Sequence, residues 1–253
     1  MTRVDRASIL ALTLFSVVVA AGFDSPGSRR QTAQSVPSTA DRVAQMRHHF
    51  SDVTLVDEAV IRGDLAAVRE PALKVARVAM PAAMPASAEP FITELRRAGQ
   101  RAAEAKTLEA AARATAEMVT ACANCHRAVG TYPSPPMPAR RDVGGIVGQM
   151  QEHQLALDDM LLGLMIPSPS HWREGADRLR VVPLLPAKIP QDLKVTDETR
   201  KAEVRAHQLA EQALKAESVT DRTEIYAQVI TNCSQCHNLH SKVWGPGRGG
   251  FRP

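Results

Sequence analysis

The chain is predicted to be all-α, built as two tandem four-helix up-down-up-down bundles, and three observations predict it. Apolar residues fill 44% of its 253 positions but aromatic ones only 4%. That mixture is weighted to Ala, Leu, Val and Met and favours helices with small side chains over sheets of β-branched and aromatic residues. Apolar residues also recur at spacings of three and four, as in Val43, Met46, Phe50, Val53, Val56 and Val60, which is the period of an amphipathic helix. The third observation is an internal repeat. Gln45-Met46 and His49 return 104 residues later as Gln149-Met150 and His153, and Arg69-Glu70 returns at the same offset as Arg173-Glu174. Ala116-Glu117-Met118-Val119-Thr120 returns as Ala227-Gln228-Val229-Ile230-Thr231 at an offset of 111, so a net insertion of seven residues lies between these landmarks. A period this long marks duplication of a domain and not a short solenoid repeat.

In chain order, residues 1–22 read as a signal peptide: Arg3 and Arg6 give a positive start, Ile9 to Ala21 is apolar, and Val19-Ala20-Ala21 offers small residues for cleavage. The apolar run is shorter than the roughly 20 residues that span a bilayer, so no stable membrane span is expected after cleavage. No Cys follows the run to carry a lipid. Residues 23–40, rich in Ser, Gln and Pro, read as a flexible leader. The first bundle is placed at 41–131. Its first helix runs to Arg62, Gly63-Asp64 breaks it and caps a second helix ending near Met80, and Pro81, Pro85 and Pro90 make a loop. From Phe91 to Val129 nothing interrupts the helix, but the stretch is too long for one bundle helix and is divided near Lys106 to Leu108.

Residues 132–141 form a linker, because Tyr132-Pro133-Ser134-Pro135-Pro136-Met137-Pro138 cannot stay helical. The second bundle is placed at 142–245, with helices near 143–166, 171–181, 196–216 and 221–240, and a tail follows at 246–253. Pro183, Pro186 and Pro190 mark the loop that takes the extra residues, and Asp221-Arg222-Thr223-Glu224 resembles a capping box at the start of the last helix. Up-down-up-down bundles need only such short turns.

The four cysteines, Cys122, Cys125, Cys233 and Cys236, fall in Cys122-Ala-Asn-Cys125-His126 and Cys233-Ser-Gln-Cys236-His237, with none left over. Cys-x-x-Cys-His is the attachment pattern of haem c: two thiols form thioethers with the vinyl groups, and the following imidazole binds iron. On a helix, residues i, i+3 and i+4 share a face, so both sulfurs and the imidazole address one macrocycle. Disulfides, a redox-active dithiol and a zinc site are the competing readings. A shared zinc site is disfavoured because the pairs lie 111 residues apart and it leaves both His residues without a role. Two haem c groups, with His126 and His237 as proximal iron ligands, are therefore expected.

Four helices ending in Cys-x-x-Cys-His resemble the cytochrome c′ family, over residues 41–130 and 142–242. The family's first helix supplies the residue on the far side of the haem, and its members differ there. Some place a non-coordinating apolar side chain, while low-spin relatives supply a Met. The resemblance implies Met46 and Met150 as sixth ligands. His49 and His153, one turn along, are their rivals, and Val43 and Val147, one turn before, are the non-coordinating alternative. The propionate-contacting Arg of the family falls at Thr39 and Val143 here, which departs from the pattern. His171, His207 and His240 have no counterpart in the other half and are expected to be solvated.

The net charge of +4 and pI near 9.0 are mild, and Lys and Arg are scattered instead of clustered, so no nucleic-acid footprint is present. The resulting expectation is a periplasmic diheme electron carrier serving a redox protein partner, either a monomeric pseudo-dimer or a homodimer. Its rivals are a five-coordinate haem protein that binds NO or CO, and a diheme peroxidase using His49 or His153 as acid/base. No catalytic constellation is otherwise recognisable.

Overall fold

The fold comes from a computed structural model and is described for residues 39–81, 84–133, 145–183 and 195–239. The signal peptide, residues 23–38 of the leader, residues 134–141 of the linker, Val143, Pro186, Pro190, His240, Trp244 and the tail lie outside the described residues. Those described are all-α, with no strand among them. Eight α-helices follow in order: α1 (Thr39–Ile61), α2 (Leu65–Ala76), α3 (Glu89–Glu104), α4 (Leu108–Val129), α5 (Gly145–Met165), α6 (Pro169–Val181), α7 (Asp197–Lys215) and α8 (Val219–Leu239). A single 3₁₀ turn at Ala86–Ala88 leads into α3. The repeat register survives in the helix starts: α2 and α6 begin 104 residues apart, and α4 and α8 begin 111 apart.

Local chemistry explains most boundaries. Gly63, at φ 73°, closes α1. Its N–H donates to Val60 O at 2.9 Å and the Asp64 N–H to Ala59 O at 2.9 Å, a Schellman motif that satisfies two end carbonyls. Asp64 then caps α2 by accepting from the Ala67 N–H at 3.0 Å. Thr107 performs the same task for α4 on Ala110 N–H at 3.1 Å, which places the division of the long 91–129 stretch where sequence put it. The last helix differs from expectation. Ser218 is its cap, accepting from Asp221 N–H at 3.0 Å and donating to the Asp221 carboxylate at 2.7 Å. Asp221 therefore sits at the third helical position and is not the cap, because a serine hydroxyl three residues earlier satisfies its N–H.

Each helix packs on the next within 39–129, and α1 also meets α4; α5 to α8 repeat this order, with α5 meeting α8. The halves do not stand apart. α4 lies along α8, α1 touches α8, and α4 touches α5, so one apolar core extends from Val53, Val56 and Val60 through Met118 and Val119 to Met160, Leu164, Trp172 and Ile230. Burial of this kind contributes roughly 25 cal/mol per Å² of apolar surface and dominates the stability of such a fold. The α4–α8 seam carries an Arg113–Glu224 ion pair at 3.2 Å and a Thr120–Thr223 hydroxyl contact at 2.6 Å. Arg113 and Glu224 are repeat-equivalent positions, 111 residues apart, so the seam passes through matching points of the two halves.

Candidate haem-attachment site

Both Cys-x-x-Cys-His motifs lie on continuous helix, within the last two turns of α4 and α8. Cys122, Cys125 and His126 thus occupy one face, as do Cys233, Cys236 and His237. Gly130, at φ 68°, closes α4 directly after the motif. Thr131 N–H donates to His126 O at 3.0 Å and Gly130 N–H to Arg127 O at 3.3 Å, so the turn that carries His126 has its end carbonyls satisfied and its backbone fixed.

All four thiols are free; Cys125 is buried and the others are half-buried. Burial pushes the Cys122 and Cys233 thiols each up to about 12, with the neighbouring cysteine adding to the effect. It raises Cys125 and Cys236 as well. Thiols held protonated at neutral pH are poor nucleophiles, so the environment gives no support to a redox-active dithiol.

His126 meets the second half of the chain. Its Nδ1 lies 3.2 Å from the carbonyl oxygen of Met165, the last residue of α5. An imidazole that donates Nδ1–H to a carbonyl is locked in the tautomer whose Nε2 lone pair faces outward, the usual arrangement of a metal-binding histidine. Burial lowers the His126 pKa and the Met165 carbonyl opposes it, so burial favours the neutral form a metal requires. The donor set, two thiols and a neutral imidazole on one helical face, fits a covalently held haem.

The candidate distal residues do not behave alike. Met46 and Met150 are half-buried. Val43 and Val147 are 45% and 52% exposed, so the apolar stripe of the first helix reaches the core only from about Phe50 onward. His153 is buried, with Nε2 3.0 Å from Pro183 O. Burial lowers its pKa, the hydrogen bond to the Pro183 carbonyl opposes this, and His237 and His207 add to the lowering. His49 is half-buried and lowered by burial, and its charged neighbours are Asp52 and His48.

Sequence reasoning missed several residues. His171 and His207 were expected to be solvated. Instead His207 Nε2 contacts Val182 O at 3.3 Å, and His171 Nδ1 lies 3.6 Å from the buried Asp159 carboxylate. Arg69-Glu70 and Arg173-Glu174 are exposed, and Glu70 pairs with Lys74 at 3.3 Å. A buried pair also joins the halves: Tyr226 O–H of α8 donates to Asp57 Oδ1 of α1 at 3.0 Å. Neither Tyr226 nor Asp57 has a like residue at its repeat position, so the repeat could not flag them. No family model, no curated protein and no solved structure matches the chain.

Proposed function

We propose that the chain is an exported, periplasmic electron carrier holding two haem c groups, one on each of two tandem four-helix bundles that resemble cytochrome c′. The observation that carries this reading is the like placement of the two Cys-x-x-Cys-His motifs in the closing turns of the repeat-equivalent helices α4 and α8, with every cysteine of the chain used. Haem iron, when bound, supplies reversible one-electron exchange. The chain supplies the rest. Cys122 and Cys125, and Cys233 and Cys236, tether each group along one helical face. His126, held by the Met165 carbonyl, presents Nε2 as a ligand, and His237 takes the matching place on α8. Met46 and Met150 are proposed as sixth ligands, which would block exogenous ligands and keep coordination unchanged between oxidation states.

A second reading is favoured at the α8 site by one observation: His153 is buried on α5, which packs against α8, whereas Met150 one turn before it is only half-buried. It gives His–His ligation in the second half, or an acid/base group beside an open iron. Optical spectra of the matured protein, oxidised and reduced, with and without carbon monoxide, test both readings. Low-spin spectra unmoved by carbon monoxide, turned partly high-spin by Met46→Ala and Met150→Ala, support Met–His electron carriage. If Met150→Ala is silent and His153→Ala opens the site, the second reading holds. A high-spin wild-type protein that binds carbon monoxide readily would move the function to NO or CO binding.

A further inference from the structure

Outside the cysteine motifs, three ligating side chains converge where α5 meets the start of α6. Asp159 projects from α5, and His171 and Glu174, three residues apart, project from one face of α6. One ligand atom from each lies within 4.8 Å of the others. Asp159 is 6% exposed. Its Oδ1 is 3.6 Å from His171 Nδ1, and that nitrogen is buried with no hydrogen-bond partner. A 3.6 Å gap is too long for a hydrogen bond. Two ligands each about 2.1 Å from a tetrahedral ion sit roughly 3.4 Å apart, so the gap matches two donors of one metal.

The neighbouring charges fit the same account. Arg178 reaches the other carboxylate oxygen of Asp159, Oδ2, at 3.6 Å and Glu152 at 3.5 Å. At that distance Arg178 is an ion-pair neighbour of Oδ2 and leaves Oδ1 on the side of His171. Asp159, Glu174 and Glu152 against Arg178 leave the cluster net negative. One imidazole with two carboxylates suits a borderline ion such as Zn²⁺ and is a poor match for Ca²⁺ or Mg²⁺, which prefer all-oxygen sets.

We propose that Asp159, His171 and Glu174 form a binding site for a divalent transition ion of the Zn²⁺ class, with its remaining coordination open to water. The site is separate from the cysteine motifs and stands whether or not they carry haem. Asp159 has no acidic counterpart in the first half, where Leu55 takes its place, and His171 corresponds to Ala67. The site therefore belongs to the second half alone.

Calorimetric titration of the full-length, EDTA-treated and desalted protein with ZnCl₂, with metal content measured on the same sample, tests it. One Zn²⁺ per chain is expected, undisturbed by excess Mg²⁺. His171→Gln should weaken binding by at least about tenfold, and Glu174→Gln, at an exposed position that leaves the fold intact, should weaken it several-fold, with helical circular dichroism retained in both. Absence of Zn²⁺ uptake by the wild-type protein, or uptake unchanged in both variants, would overturn the proposal.

Discussion

Asp57→Asn should change how the stability of this protein depends on pH. Asp57 is 3% exposed and accepts the Tyr226 hydroxyl at 3.0 Å across the junction of the halves. Burial raises its pKa from 3.8 to about 8, with the Tyr226 hydrogen bond opposing and the nearby Asp158 and Glu58 charges adding to the rise. The unfolded carboxyl ionises near its ordinary value while the folded one keeps its proton to about pH 8. Between those values the unfolded state binds fewer protons, so stability falls as pH rises and levels off above the folded pKa. The whole interval is worth on the order of 6 kcal/mol, at about 1.4 kcal/mol per pH unit.

The difference between wild type and Asp57→Asn from pH 6.5 to 8 isolates Asp57. Asp158, raised by burial to about 6, has finished most of its own titration there. The burial-lowered histidines His49, His126 and His153 still lose protons from the unfolded state in the lower half of the window, which raises stability with pH, but they do so alike in both proteins. Over 1.5 pH units the wild-type protein should lose about 2 kcal/mol relative to Asp57→Asn in denaturant unfolding. Asparagine keeps the acceptor for Tyr226 and cannot ionise, so Asp57→Asn should lack this loss and be more stable than wild type at pH 8. An equal slope in both proteins, or a wild-type slope more positive than that of Asp57→Asn, would refute the reasoning.

Two further perturbations act on α6. Gly175→Ala should destabilise the fold by about 2 kcal/mol, since a β-carbon there would meet Ala156 O at 2.5 Å and force the closely approaching helices α5 and α6 apart; thermal unfolding checks it. Trp172→Phe removes the indole N–H that donates to Ala213 O at 2.8 Å and opens space at a fully buried position. A loss of about 2 kcal/mol is expected, with the unfolding midpoint in urea as the measure.

The helices were legible because their boundaries rest on local chemistry. Gly63-Asp64 announces itself in sequence, the division near Lys106 to Leu108 follows from the length a bundle helix can have, and the duplication lets one half check the other. What escaped depends on distance or on the backbone. Asp57 and Tyr226 lie 169 residues apart and have Leu161 and Thr115 at their repeat positions, so neither periodicity nor repeat links them. The partner of His126 is the backbone carbonyl of Met165, which any residue type would supply. At the start of α8 both Ser218 and Asp221 are good capping residues, and sequence alone does not say that Ser218 takes the role. The spacing on α1 predicts an amphipathic face, but such spacing marks a face and not the depth to which each turn of it enters the core, and Val43 stays 45% exposed.

The intact mass of the exported chain, matured in a host that attaches haem and then denatured, read together with its free-thiol count, decides whether both motifs carry haem. A mass increased by two haems that persists in denaturant is expected, with no thiol available to a maleimide, falling to one haem in Cys122→Ala/Cys125→Ala. An unmodified mass, with four reactive thiols or two disulfides, would rule out covalent haem at both motifs.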